Sequence, residues 1–162
     1  NLGVGLAGKR ILMIGAGGAA GGVLAPLLNE NPASLVVANR TAERAHTLAR
    51  AFADVGTVES CGLDDLAGER FEVVINATSS GLEGDVPTLP ASIVADGATA
   101  FDMLYGAEPT PFLRWAEENG AFRTRDGLGM LVEQAAAAFE LWRRIRPSTE
   151  PVIEALRNDT RP

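Results

Sequence analysis

Two groups of residues in this chain could do chemistry together. The first is Gly15-Ala16-Gly17-Gly18-Ala19-Ala20, directly after the apolar run Ile11 to Ile14, and the second is Asn39-Arg40-Thr41-Ala42-Glu43-Arg44 after the apolar run Leu35 to Ala38. A glycine turn that leaves a strand and opens a helix suits a pyrophosphate. Gly15 permits the tight turn, Gly17 has no Cβ to block the phosphates, and Ala20 is small enough for close helix–strand packing. The helix then offers unpaired N–H groups and the positive end of its dipole. At the end of the second strand an Asp or Glu would accept from a ribose 2′-hydroxyl. This strand ends in Asn39-Arg40-Thr41 instead, with Arg44 one helical turn beyond. Guanidinium groups at that edge suit a dianionic 2′-phosphate, and Arg40 can meet it in bidentate fashion. The expectation is NADP in preference to NAD.

These residues need a framework, and the hydrophobic pattern supplies one. A strand over Arg10–Ile14, a helix from about Gly17 to Asn29 and a strand over Leu35–Ala38 make a βαβ unit. A second helix is expected over Ala42–Ala53, with Thr41 as N-cap and Glu43 at its positive end. A short strand over Val55–Ser60 and a helical turn at Leu63–Leu66 follow. Phe71–Asn76 reads as a buried strand that ends in Ala77-Thr78-Ser79-Ser80-Gly81, and Leu82–Asp96 reads as loop. A strand over Ala98–Phe101 ends in Asp102-Met103-Leu104-Tyr105. Thr110-Pro111 starts a helix by its N-cap and N1 preferences, Phe112, Trp115 and Ala116 share a face, and Gly120 ends it. A short strand at Ala121–Thr124 leads to Asp126-Gly127-Leu128-Gly129 and a long helix to about Arg146. Its expected core face is Leu131, Ala135, Phe139 and Trp142, with Gln134 off the stripe. Pro147 stops that helix, and Ser148 or Thr149 caps a last one.

Six strands alternating with helices imply one α/β domain, a three-layer, Rossmann-like, doubly wound and mostly parallel six-stranded sheet. The glycine-spaced stretch Asn1–Gly8 reads as the remnant of a linker, preceded by further chain. The 162 residues suffice for a full core, and a net charge of -7 argues against a nucleic-acid surface. A single cysteine, Cys61, excludes an internal disulfide, and no spacing of His and Cys suggests a metal site. No apolar run approaches the roughly 18 residues that cross a bilayer, so no membrane partner is expected, and the expected compartment is the cytoplasm. Lys9 is the only lysine and His46 the only histidine. Lys9 precedes the first strand, at the end remote from the glycine turn, and His46 falls off the apolar stripe of its helix, so neither is placed for proton transfer.

Taken in order, Gly15-Ala16-Gly17-Gly18-Ala19-Ala20, Asn39 to Arg44, Asn76 to Gly81 and Asp126-Gly127-Leu128-Gly129-Met130-Leu131-Val132-Glu133-Gln134 resemble shikimate dehydrogenase, with Asp102-Met103, Tyr105 and Thr110 to Leu113 adding to the match. The resemblance is to its C-terminal, cofactor-binding domain. It implies an NADP-dependent oxidoreductase that interconverts 3-dehydroshikimate and shikimate in aromatic amino-acid biosynthesis. By the same resemblance Gly15, Ala16, Gly17, Gly18 and Ala19 would cradle the pyrophosphate, and Asn39, Arg40, Thr41 and Arg44 would hold the 2′-phosphate and ribose. Thr78, Ser79, Met103 and Gly127 would border the nicotinamide, and Tyr105 and Gln134 would reach the substrate. The family's catalytic Lys and Asp lie in an N-terminal domain that this sequence lacks. No catalytic residue is therefore expected here, and the chain by itself is expected to bind NADP(H) without turning substrate over. The last helix, within 148–162, would pack toward that missing domain, and the face left bare predicts self-association. A quinate/shikimate enzyme or another NAD(P) enzyme domain, and a nucleotide-sensing or interaction module without catalysis, remain open alternatives.

Overall fold

The computed structural model describes residues 3–79 and 87–159. Ser80, Gly81 and 82–86, which belong to the hydroxyl-rich turn and the loop expected after it, lie outside the described residues, as do 1–2 and 160–162. The elements are β1 (Arg10–Ile14), α1 (Gly18–Asn29), β2 (Ser34–Asn39), α2 (Ala42–Ala51), β3 (Glu59–Gly62), β4 (Phe71–Asn76), β5 (Val94–Asp102), α3 (Pro111–Glu118), β6 (Arg123–Arg125), α4 (Leu128–Arg143) and α5 (Glu150–Asp159), with short 3₁₀ turns at Leu63–Leu66 and Ala91–Ile93. The strands form one parallel sheet in the order β3-β2-β1-β4-β5-β6. The order reverses at β1, which has β2 on one side and β4 on the other. Such a reversal opens a crevice beyond the carboxyl ends of the strands.

Alternation along the strands sorts side chains to two faces. Ile11, Met13, Leu35, Val37, Val73 and Ile75 meet Ala20, Leu24 and Leu27 of α1 and Ala45 of α2. Leu12, Ile14, Val36, Ala38, Val74, Ala98 and Ala100 meet Leu66 and the Phe112, Leu113 and Ala116 side of α3. Right-handed crossovers dictate this division. The walk β1 to β2 to β3 puts its helices on one face, and the opposite walk from β4 to β6 puts its helix on the other. On the first face, above β4 and β5, a trough of about 660 Å³ remains, lined by Val73, Ile75 and Phe101 with Val4, Leu6 and Met130 among its walls.

Three local expectations change. β5 starts at Val94, inside the stretch read as loop, because Gly97 adopts φ +77 and the pairing with β4 slips between Phe71 and Val73, which breaks the alternation that marks a strand. β3 lies at Glu59–Gly62, later than expected, since its place is set by pairing Val36–Asn39 with Glu59–Gly62 across the sheet. The long helix α4 buries Leu128, Val132 and Ala136, while Leu131 is 42% exposed, Phe139 44% and Trp142 76%. Two apolar stripes run along α4. The one with the smaller side chains is buried, and the bulky stripe faces outward.

Candidate cofactor-binding site

The glycine turn is built by close approach. Gly15 has φ +107 and donates its N–H to the Ala38 carbonyl at 2.8 Å, and a Cβ there would lie 3.0 Å from the carbonyl carbon and oxygen of Ala77. The turn is thus wedged against the exit of β4, and only glycine fits it. Gly17 is the N-cap of α1 and provides no side-chain cap. A Cβ on Gly17 or Gly18 would meet nothing within 4 Å, so the space in front of the helix start is open. Gly17, Gly18 and Ala19 are exposed, and Ala20 is fully buried. The first turn of α1 carries no acid, so its amides face that space with no carboxylate of their own turn beside them.

The end of β2 brings a second set of donors to the same edge. Asn39 Nδ2 donates to the Thr41 carbonyl at 2.9 Å and folds the strand end tightly into α2. Thr41 is the N-cap of α2, yet its hydroxyl caps no amide. Arg40 and Arg44 are exposed and form no ion pair among the described residues. Glu43, the acid between them, is engaged by Arg50 at 2.8 Å. Two guanidinium groups therefore stand at the helix start with the nearby carboxylate already paired, where cations are mildly unfavourable in the absence of an anion.

The other side of the crevice rests on a buried polar network that sequence reasoning assigned to no role. Asn76 is 1% exposed, Asp102 0% and Thr110 8%. Asn76 Nδ2 donates to Asp102 Oδ1 at 3.1 Å, the Thr110 hydroxyl donates to Asp102 Oδ2 at 2.6 Å, and the Leu104 N–H donates to Asp102 Oδ1 at 3.1 Å. Asn76 Oδ1 in turn accepts from the Thr78 N–H at 3.2 Å and the Thr78 hydroxyl at 2.8 Å. The carboxyl ends of β4 and β5 are thereby locked to each other and to the start of α3. The available signal was a polar residue closing each of two apolar strands, but the Asn76–Asp102 pairing appears only once β4 and β5 are neighbours in register.

Gly127 completes this side. Its N–H donates to the Leu104 carbonyl at 2.9 Å, the Met103 N–H donates to the Asn76 carbonyl at 2.9 Å, and a Cβ on Gly127 would fall 2.1 Å from the Met103 oxygen. Gly15, Thr78, Met103 and Gly127 are thus brought together, and Asn39, Arg40, Thr41 and Arg44 flank them at the end of the neighbouring strand. Ser79 is exposed beside Thr78. Tyr105 is 48% exposed and Gln134 lies on the exposed side of α4. Neither side chain makes a hydrogen bond among the described residues, and the structure does not join them.

The residues that most often move protons are occupied elsewhere. Lys9 Nζ donates to Glu72 Oε1 at 2.6 Å at the amino end of the sheet, and these partners hold the Glu72 carboxyl below the usual glutamate range. His46 is half-buried rather than exposed and shares a hydrogen bond of 2.9 Å with Ser60 Oγ. Partial burial, then the nearby Asp65, Glu69 and Glu59 carboxylates, push the Cys61 thiol up. Among the described residues no group of His, Cys, Asp and Glu could hold a metal ion, and no helix is long and apolar enough to cross a membrane.

Comparison with known proteins identifies the family. The family model described as shikimate / quinate 5-dehydrogenase matches residues 2–83, and that of the shikimate 5'-dehydrogenase C-terminal domain matches 127–157. This chain belongs to the shikimate/quinate 5-dehydrogenase family. Its similarity to the shikimate dehydrogenase (NADP(+)) of Methylococcus capsulatus is 56% identity over 99% of this chain and 58% of that protein. The Cellvibrio japonicus enzyme of the same name is 57% identical over 97% of this chain and 57% of its own length. Among solved structures, an Ael1 enzyme from Pseudomonas putida matches with a TM-score of 0.89 at 44% identity, over 99% of this chain and 58% of that one. A shikimate dehydrogenase in complex with NADP+ matches at 0.79 and 32% identity, over 96% of this chain and 56% of that one. The chain therefore spans a little under three fifths of the relatives it matches.

Proposed function

We propose that this chain is the cofactor-binding part of an NADP-dependent shikimate dehydrogenase and seats NADPH for the reduction of 3-dehydroshikimate to shikimate. The observation that carries the reading is the pair Arg40 and Arg44, without anionic partners among the described residues at the end of β2 while Glu43 is held by Arg50. A strongly anionic ligand arriving at that edge would pair both cations, and a 2′-phosphate distinguishes NADP from NAD there. In this reading the amides of Gly15, Ala16, Gly17, Gly18 and Ala19 take the pyrophosphate, and Asn39, Arg40, Thr41 and Arg44 take the adenosine ribose and its phosphate. Thr78, Ser79, Met103 and Gly127 border the nicotinamide, and Tyr105 and Gln134 look toward the substrate. When bound, NADPH supplies the hydride. In this reading the group that handles the substrate's proton is supplied by the rest of the full-length protein; of this chain's Lys and His, Lys9 is paired at the opposite end of the sheet and His46 is engaged by Ser60.

The same reading assigns a purpose to the bare apolar surface. Trp142 and Leu141 at the end of α4 and Ile145 just beyond it are 76%, 67% and 66% exposed, and Val152 on α5 is 47% exposed. With the trough above β4 and β5, they form surfaces against which the remainder of a full-length protein packs, α5 included. The chain taken alone buries them by self-association.

The experiment is a calorimetric titration of the chain with NADPH and with NADH, for the wild type and for Arg40→Asp. The expected result is NADPH at least about tenfold tighter, a gap of about 1.4 kcal/mol, and loss of that gap in the variant. Equal affinities in the wild type, or a gap that survives the substitution, would sink the reading.

A further inference from the structure

We propose that Arg157, in the last turn of α5, is a positioning residue for the nicotinamide half of the cofactor seat and acts through Asp126. The inference rests on the cofactor reading above. Arg157 Nη1 donates to Asp126 Oδ2 at 2.5 Å and Nη2 to Oδ1 at 2.7 Å, a fork that meets both carboxylate oxygens. Asp126 Oδ1 also accepts from the Leu128 N–H at 3.3 Å, so this one carboxylate caps the start of α4 while it holds the end of α5. Its side chain is 11% exposed, which spares the pair much of the screening that makes surface ion pairs weak.

What the clasp controls is the residue next to it. Gly127 is pinned between Asp126 and Leu128, donates to the Leu104 carbonyl, and lies backbone against backbone on Met103 with no room even for a Cβ. A contact that tight transmits displacement. Any shift of the 126–128 turn moves Gly127 against Met103, and these are two of the residues placed around the nicotinamide. α5 buries none of its side chains, so apolar packing alone does not hold it, and the fork to Asp126 is a specific tether between it and the site. A C-terminal helix that packs against the remainder of the protein is thereby linked to the geometry of the nicotinamide seat. Among the described residues no hydrogen bond or ion pair links the adenosine half, on β2 and α2, to Asp126 or Arg157.

That separation supplies the test. In the protein at its natural full length, affinities for NADPH and for 2′,5′-ADP, which carries the adenosine half alone, are measured for the wild type, Arg157→Gln, Arg157→Lys, Asp126→Asn and the double variant Asp126→Asn/Arg157→Gln. Arg157→Gln is expected to weaken NADPH about fivefold and leave 2′,5′-ADP unchanged. Arg157→Lys, which keeps the charge and gives up the fork, is expected to fall between it and the wild type. The double variant is expected to lose no more than the larger single loss, because the two residues act as one unit. Unchanged NADPH affinity in Arg157→Gln and Arg157→Lys overturns the proposal. Parallel loss of both ligands overturns it as well, since that is what a general structural role produces. If wild-type protein binds 2′,5′-ADP as tightly as NADPH, the nicotinamide half adds no affinity and the clasp proposal falls while the 2′-phosphate site stands; if it binds neither, the cofactor reading itself fails and the clasp proposal falls with it.

Discussion

Asp102 is the residue on which the geometry of the crevice depends most. It is fully buried, and its oxygens take hydrogen bonds from Asn76 Nδ2, the Leu104 N–H and the Thr110 hydroxyl. Asp102→Ala strands all three donors. Leu104 is half-buried, and water can reach its amide, whereas Asn76 and Thr110 are buried. At about 1–3 kcal/mol for each buried donor left unpaired, the expected loss is about 2–5 kcal/mol, a large share of the roughly 5–15 kcal/mol that holds a domain folded. For a chain of this size it lowers Tm by roughly 5–15 °C. Asp102→Asn behaves differently. Its amide oxygen can keep the bonds from Asn76 and Leu104, and its amide nitrogen can donate to the Thr110 oxygen, so the expected cost is only about 1 kcal/mol. Urea titration with linear extrapolation measures both. The order is the decisive feature: if Asp102→Asn costs as much as Asp102→Ala, or if Asp102→Ala costs under about 0.5 kcal/mol, the network is not what holds the ends of β4 and β5 together.

Gly127→Ala places a methyl 2.1 Å from the Met103 oxygen, and because both partners are backbone, the strand end must move. The expected outcome is an NADPH affinity reduced about tenfold or more, a change of about 1.4 kcal/mol, with the far-UV circular dichroism unchanged; wild-type affinity would show that Gly127 does not border the cofactor. The Glu72 carboxyl, held below its usual range first by Lys9 and then by the Arg10 N–H, contributes stability that is present above the ordinary glutamate pKa of about 4.3 and lost as pH falls through its lower folded value. Stability measured against pH for the wild type and Glu72→Gln should accordingly show a gap at neutral pH that closes below about pH 4, and a gap independent of pH would contradict the assignment. Trp142→Glu, on the most exposed part of α4, is expected to shift the isolated chain toward monomer in size-exclusion chromatography, and a wild-type chain that elutes as monomer at every concentration would remove the argument for a covered face.

What was legible in the sequence divides along a physical line. The Gly15 turn, the Thr110-Pro111 start of α3 and the guanidinium pair after β2 depend on residues within a turn or two of each other, and their chemistry shows in the local string. Thr110 does accept from the Leu113 N–H at 3.3 Å, as its place before a proline implies. Burial of one face of α4 is a different kind of fact, because it depends on what stands opposite. Periodicity showed that α4 has apolar stripes, but tertiary packing decided that Leu128, Val132 and Ala136 go inward. Bulk therefore misled where packing required small residues, and the bulky stripe is left exposed. The clasp and the Asp102 network lie further still from local pattern. Asp126 and Arg157 are 31 positions apart and Asn76 and Asp102 26, and no spacing rule pairs them. They sit where the parallel sheet brings the ends of distant strands to one edge, which is also where a cofactor would be held. In a doubly wound sheet the recognition residues are thus read from local sequence, whereas those that keep them in place become visible only when the strands are put in order.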